Sequence, residues 1–235
     1  VTAATKIRWG VGILTAPRSQ LTVTQAITAL IAAGWPPEEH TIFIDAVRSG
    51  CYRGWKSMAA NLLAIHGKSD WLLMIEDDCV LSAGLREFIE STAPYNAGAW
   101  HSLYCSSGLH SKNEVGWRCV QTPRQCWGSV AYMVSPALLK KFLDNAPYPT
   151  WRDGTDRAVG QFCRASRVPY VIHSPSLANH IGEISSLDQP GGVDQNRRCS
   201  HWVSSIRRDE DGIGWRWKVA GLENRESVEA KVVIQ

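Results

Sequence analysis

No apolar run in this 235-residue chain approaches the ~18 residues that cross a bilayer, so no membrane-spanning helix is expected. The opening residues Val1-Thr2-Ala3-Ala4-Thr5 also lack the apolar centre of a secretory signal, which sets the expectation of an unanchored cytoplasmic protein. CxxC pairs are missing too. Cysteines stand at 51, 79, 105, 119, 126, 163 and 199, odd in number and irregular in spacing, which argues against a disulfide framework or a zinc site and for a reducing compartment. Absent as well are the GxxxxGK(S/T) of a P-loop enzyme and the GxSxG of a serine hydrolase. The formal net charge of +3 is too small to mark a nucleic-acid ligand by itself.

What is present is an ordinary folded composition, 44% hydrophobic and 20% charged, in a length that suits one α/β domain rather than two. Arginine carries more of the basic charge than lysine, with doublets at Arg197-Arg198 and Arg207-Arg208. Its planar fork suits phosphate recognition, although solvated surface arginines read equally well. Eleven tryptophans fit core positions or pocket walls, since sugar rings and nucleobases both pack on aromatic faces.

Hydrophobic spacing gives the order of elements. Arg8 to Leu14 reads as a buried strand ending in the loop Thr15-Ala16-Pro17-Arg18. Val23, Ala26, Ile27, Leu30 and Ile31 share one helical face, and Gly34 with Pro36-Pro37 stops that helix. Thr41 to Asp45 is a second strand, Trp55, Met58, Ala59, Leu62 and Leu63 a second helix, and Trp71 to Ile75 a third strand. This βαβαβ order predicts an α/β fold, Rossmann-like, with a mostly parallel central sheet flanked by helices. Ligands then gather at the strands' C-terminal ends. Those ends carry Thr15 to Arg18, Asp45, and Glu76-Asp77-Asp78.

The second half reads as strands over Ala99 to Tyr104 and Ser129 to Val134, with a helix opened by Ser135-Pro136. Asp156 heads a short helix and Pro169 to His173 forms the last central strand. Ser106 to Gln125 is expected to be an acceptor-side loop. Residues 188–235 are expected to add a lid and a peripheral hairpin around Trp215 and Trp217 to a catalytic domain of residues 1–187.

Three consecutive carboxylates after a buried strand repel one another and call for a counter-charge. A divalent cation such as Mg²⁺ or Mn²⁺ supplies it, and a cation held by few side chains keeps positions open for diphosphate oxygens. The competing reading is a solvated turn in which Asp77 or Asp78 caps the next helix.

Leu72 to Val80, with Glu76-Asp77-Asp78 at its centre, resembles the DxD-type motif of GT-A glycosyltransferases. Pro175-Ser176-Leu177-Ala178-Asn179-His180-Ile181-Gly182 through Ser185-Ser186 is similar to a PSL..HIG..SS segment near the end of several such enzymes. The sequence departs from strict DxD by placing glutamate first. The resemblance covers about residues 8–187 and implies a GT-A fold, a nucleotide-sugar donor (a UDP-sugar), and a divalent metal held by Asp78, Glu76, Asp77 and His180. It further implies donor contacts from Thr15, Pro17, Arg18, Asp45, Arg53 and Asp77. Trp127, Gly128 and Trp151 would line the sugar or acceptor pocket, and Ser185, Ser186, Arg197 and Arg198 would form a phosphate-contacting lid.

Inverting transfer requires a base on the acceptor hydroxyl. Asp156 is the first candidate and Asp153 the second, both within Trp151-Arg152-Asp153-Gly154-Thr155-Asp156. Asp156 equally suits a plain helix N-cap, and a helix N-terminus favours the anion in either role. Acceptor expectations are a hydroxymethylated DNA base, as in phage and base-J-type glucosyltransferases, or a glycan or protein hydroxyl. The rival from another class is a non-catalytic Arg/Trp-rich nucleic-acid-binding module whose acids only cap helices. Metal-dependent release of nucleoside diphosphate separates the two.

Overall fold

A computed structural model describes residues 6–17, 22–93, 96–105, 115–120, 128–145, 154–182, 202–210 and 214–220. In chain order the elements are β1 (Trp9–Thr15), α1 (Val23–Ala33), β2 (His40–Ile44), α2 (Cys51–His66), β3 (Trp71–Glu76), β4 (Cys79–Leu81), α3 (Leu85–Thr92) and β5 (Trp100–Ser102). There follow β6 (Gly116–Cys119), β7 (Ala131–Val134), α4 (Pro136–Asn145), α5 (Thr155–Ala165), β8 (Tyr170–Ser174), β9 (Ala178–His180), β10 (Trp202–Arg208) and β11 (Trp215–Ala220).

Seven strands form one mixed sheet in the order β2-β1-β3-β7-β5-β8-β6. β1 pairs in parallel with β2 and β3, and β5 with β8, while β7 runs against both β3 and β5, and β6 against β8. Most strands therefore share one direction, as the βαβαβ reading expects. β6 falls within the stretch expected to be an acceptor-side loop, of which residues 115–120 are described. Its short, half-buried Gly116-Trp117-Arg118-Cys119 carries little of the apolar alternation that marks a strand.

Side-chain alternation along the strands divides the core into two layers. Val11, Ile13, Leu73 and Ile75 pack with Leu30, Phe88, Trp215 and Trp217 on one face. Leu72, Met74 and Tyr132 pack with Trp55, Leu62, Trp100, Phe142 and Phe162 on the other. There Trp55 meets Phe142 edge-on at 5.7 Å, and Phe142 meets Phe162 at 5.1 Å. The favourable edge-to-face geometry explains how so many aromatic rings share one layer. Close docking of α2 on β1 depends on Gly10, where an added Cβ would collide with the Cβ of His66.

Local signals set the helix ends. Gly34, left-handed at φ 109°, closes α1 by donating its N–H to the carbonyls of Ile31 and Leu30. Ser135 Oγ accepts the Leu138 N–H at 3.3 Å and caps α4. The β10–β11 hairpin is not peripheral in its packing: Trp215 and Trp217 are 1% and 4% exposed, with Phe88 of α3 edge-on to both at 5.3 and 6.1 Å. No described helix is long and apolar enough to cross a membrane.

Candidate active site at the strand ends

The acidic cluster leaves β3 at the C-terminal edge of the sheet, and each of its carboxylates meets a different partner. Glu76 continues the alternation of Leu72 and Met74 and so faces the layer of α2 and α5. There its Oε1 accepts a hydrogen bond from Ser129 Oγ at 2.6 Å. Asp77, 1% exposed, accepts one from Thr15 Oγ1 at 2.6 Å, and its own N–H donates to the Leu14 carbonyl at 2.9 Å. Asp78 Oδ2 lies 3.2 Å from His180 Nε2.

That last approach joins residues far apart in sequence, and a small ladder makes it. β4 pairs antiparallel with β9 as a separate two-stranded sheet that sets Cys79 opposite His180, and the Ile181 N–H donates to the Asp78 carbonyl at 2.8 Å. Gly182 then lies against the same carboxylate. A Cβ on it would be 2.6 Å from Asp78 Oδ2, so glycine keeps that oxygen approachable. His180 is 4% exposed and Asp78 8%.

A carboxylate and an imidazole together suit a divalent transition metal such as Mn²⁺. At 3.2 Å Asp78 Oδ2 and His180 Nε2 are in direct hydrogen-bonding distance of each other, and both are atoms that a shared cation could take. The expected grouping of all three acids with the histidine does not form. Among the described residues no cluster of three or more His, Cys, Asp or Glu is placed to hold a metal. Glu76 is engaged by Ser129 and Asp77 by Thr15, while the β4–β9 ladder brings His180 to Asp78. A cation here would take two side chains and fill its other positions with substrate or water oxygens.

Asp156 lies in the first turn of α5, following Gly154 at the N-cap. Its Oδ2 accepts the Gly128 N–H at 2.9 Å and its Oδ1 the Arg157 N–H at 2.8 Å. Since Ser129 holds Glu76, the dipeptide Gly128-Ser129 stands between two carboxylates. Cys51 at the start of α2 completes this corner, with its Sγ 3.7 Å from Thr155 Oγ1. Burial, assisted by the Glu76 carboxylate, pushes the Cys51 thiol up to about 11, so it is an inert neutral group near pH 7. Ser129, Thr155 and Cys51 were not legible as site residues, since single small polar side chains at element starts carry no pattern.

A groove of about 650 Å³ runs between β2 and α2, lined by Leu14, Phe43, Asp45, Ser49, Arg53 and Asn61 among others. Asp45 accepts hydrogen bonds from the Ser49 N–H at 2.8 Å and from Ser49 Oγ at 2.9 Å, which closes the β2–α2 turn. Arg53 is exposed on this groove. Pro17 is held by Arg48, whose Nε and Nη2 donate to its carbonyl at 3.1 and 2.7 Å. Thr15, Asp45, Arg53, Asp77 and Asp78 thus gather at neighbouring strand ends. Arg18, Trp127, Trp151, Asp153, Ser185, Ser186, Arg197 and Arg198 lie outside the described residues.

Solved structures of similar outline include glycosyltransferases. One is a glycosyltransferase involved in the glycosylation of the major capsid of PBCV-1, 11% identical, covering 80% of this chain and 98% of that one at a TM-score of 0.41. Another is a mutant of Drosophila β-1,4-galactosyltransferase 7 in complex with manganese, UDP-Gal and xylobiose, 11% identical, covering 85% and 88% at 0.38. A third is A197 from STIV, 14% identical, covering 74% and 85% at 0.49. No protein-family model and no curated protein sequence matches the chain.

Proposed function

We propose that this chain is a glycosyltransferase of GT-A type, moving a sugar from a nucleotide-sugar donor to an acceptor hydroxyl with inversion, with a divalent metal as cofactor. The observation that carries the reading is the meeting of Asp78 and His180 at 3.2 Å, which joins the acid after β3 to the histidine motif about a hundred residues later. A helix-capping role for Asp78 accounts for neither the imidazole nor the ladder that brings it there.

The groove between β2 and α2 takes the nucleoside, with Asp45 facing its polar edge and Arg53 on the diphosphate side. Asp78 and His180 would hold Mg²⁺ or Mn²⁺, whose positive charge offsets that of the diphosphate. Asp77, fixed by Thr15, borders the donor at the same edge. Asp156 takes the proton of the acceptor hydroxyl as its oxygen bonds to the anomeric carbon and the carbon–oxygen bond to the diphosphate breaks. Two backbone N–H groups hold the Asp156 carboxylate in place for that transfer.

The test is a donor screen with Mn²⁺ that reads released UDP or GDP, first without acceptor and then with a hydroxymethylated duplex, a glycan and a protein. Release from one donor that disappears with EDTA and in Asp78→Ala supports the assignment. A protein that binds duplex DNA with steep salt dependence and releases no nucleotide under any condition would be the non-catalytic module instead.

A further inference from the structure

We infer that His173 is a positioning residue for the Asp78–His180 pair: its side chain fixes the turn that delivers β9 to β4. The inference rests on the metal reading for its functional consequence, and on geometry alone for its structural one.

His173 is fully buried near the end of β8. Its Nδ1 lies 2.7 Å from the Pro175 carbonyl oxygen. A carbonyl only accepts, so the proton that makes this bond sits on Nδ1. Burial lowers the His173 value to about 4, in keeping with a neutral ring. Three rings stand edge-on around the imidazole: Phe88 of α3 at 5.4 Å, Trp117 of β6 at 5.1 Å and Trp217 of β11 at 5.9 Å. Among the described residues Nε2 has no hydrogen-bond partner. The ring is thus enclosed by aromatic neighbours with its Nδ1–H directed at the Pro175 carbonyl.

What this ring holds is the start of the segment that ends in His180. Pro175 follows β8 directly, and buried serines continue the attachment. Ser176 Oγ accepts from the Cys105 N–H at 2.9 Å and donates to the Ala178 carbonyl at 2.6 Å, and the Val203 N–H donates to the Ser176 carbonyl at 2.8 Å. Ser82 Oγ, after β4, donates to the carbonyls of Leu177 and Val203. β9 has only three residues and pairs in the described structure with β4 alone. A ladder that short does not fix its own register, so the anchoring at its entry decides where His180 comes to rest.

The experiment compares wild type with His173→Phe, which keeps a ring but loses the donor, and His173→Asn, whose amide restores an N–H near the Nδ1 position. Native-state amide exchange is followed at Ile181, with Val11 and Leu73 as sheet references, and Mn²⁺ affinity is read by electron paramagnetic resonance. The expected result is at least ten-fold faster Ile181 exchange and at least ten-fold weaker Mn²⁺ binding in His173→Phe, reference amides unchanged, and recovery toward wild type in His173→Asn. Wild-type Ile181 exchange in folded His173→Phe overturns the inference. If that variant does not fold, His173→Asn decides: slow exchange at Ile181 supports it and fast exchange overturns it. A wild type that binds no Mn²⁺ sinks the metal reading instead, while the exchange comparison still judges His173.

Discussion

At the scale of single residues, the acidic cluster shows how far a side-chain pattern can be read and where geometry takes over. If Asp156 is the base, Asp156→Asn should leave Mn²⁺-dependent donor binding within about two-fold and lower transfer by about 10²–10⁴. Binding by calorimetry and turnover by nucleotide release, measured on one preparation, check the split; a variant with full turnover removes Asp156 from the mechanism. His173 makes a separate claim about pH. Its folded value of about 4 lies below the 6.5 of a free imidazole, so acid protonates the unfolded chain first. Stability attributable to this residue is therefore level above pH 6.5 and falls by about 1.4 kcal/mol per pH unit between there and about 4. Urea midpoints at pH 7.5, 6.0 and 5.0 should show the gap between wild type and His173→Phe narrowing toward acid. A gap that widens contradicts the neutral assignment. The EDD triplet and the histidine were visible in the sequence, but their division of labour was not. Which partner each carboxylate meets depends on Ser129, Thr15 and the strand that carries His180, none of which stands near the triplet in the chain.

At the scale of elements, periodicity was a sound guide wherever one face is apolar. α1 and β1 to β3 fall within a residue or two of their expected bounds, and α2 extends the expected Trp55 to Leu63 face by about a turn at each end, because uninterrupted core-facing runs leave little alternative. β6 and β9 escaped notice since short strands borrow their stability from neighbours and leave no period of their own. The fit of α2 on β1 carries a direct test. Gly10→Val places atoms where the Cβ of His66 and Leu72 Cδ2 already stand. The cost should be about 1–3 kcal/mol, as for other overpacked cores, read as a lower denaturant midpoint at unchanged slope. A neutral outcome would show that α2 shifts outward freely.

For the molecule as a whole, the question is whether the last described elements are an appendage. The composition of the C-terminal stretch, rich in Gly, Asp and Arg, points outward, yet Trp215 and Trp217 point into the core. Arg208 ties the hairpin down further, lying 4.6 Å over the Trp215 ring with its Nε 2.6 Å from Glu87 Oε1. Trp215→Ala should therefore cost about 3–5 kcal/mol and leave a single unfolding transition, with hairpin and sheet melting together. Calorimetry with two separable peaks would show the hairpin to be an independent unit.

The β4–β9 ladder also bears on how the protein comes into being. Its two strands lie about a hundred residues apart, so the chain between them must be made before the imidazole can find its carboxylate. Long-range closure of this sort is slow relative to helix formation. On the metal reading proposed above, a fragment that stops short of β9 carries only one of the two proposed ligands, so ion binding would begin only once that strand has joined β4.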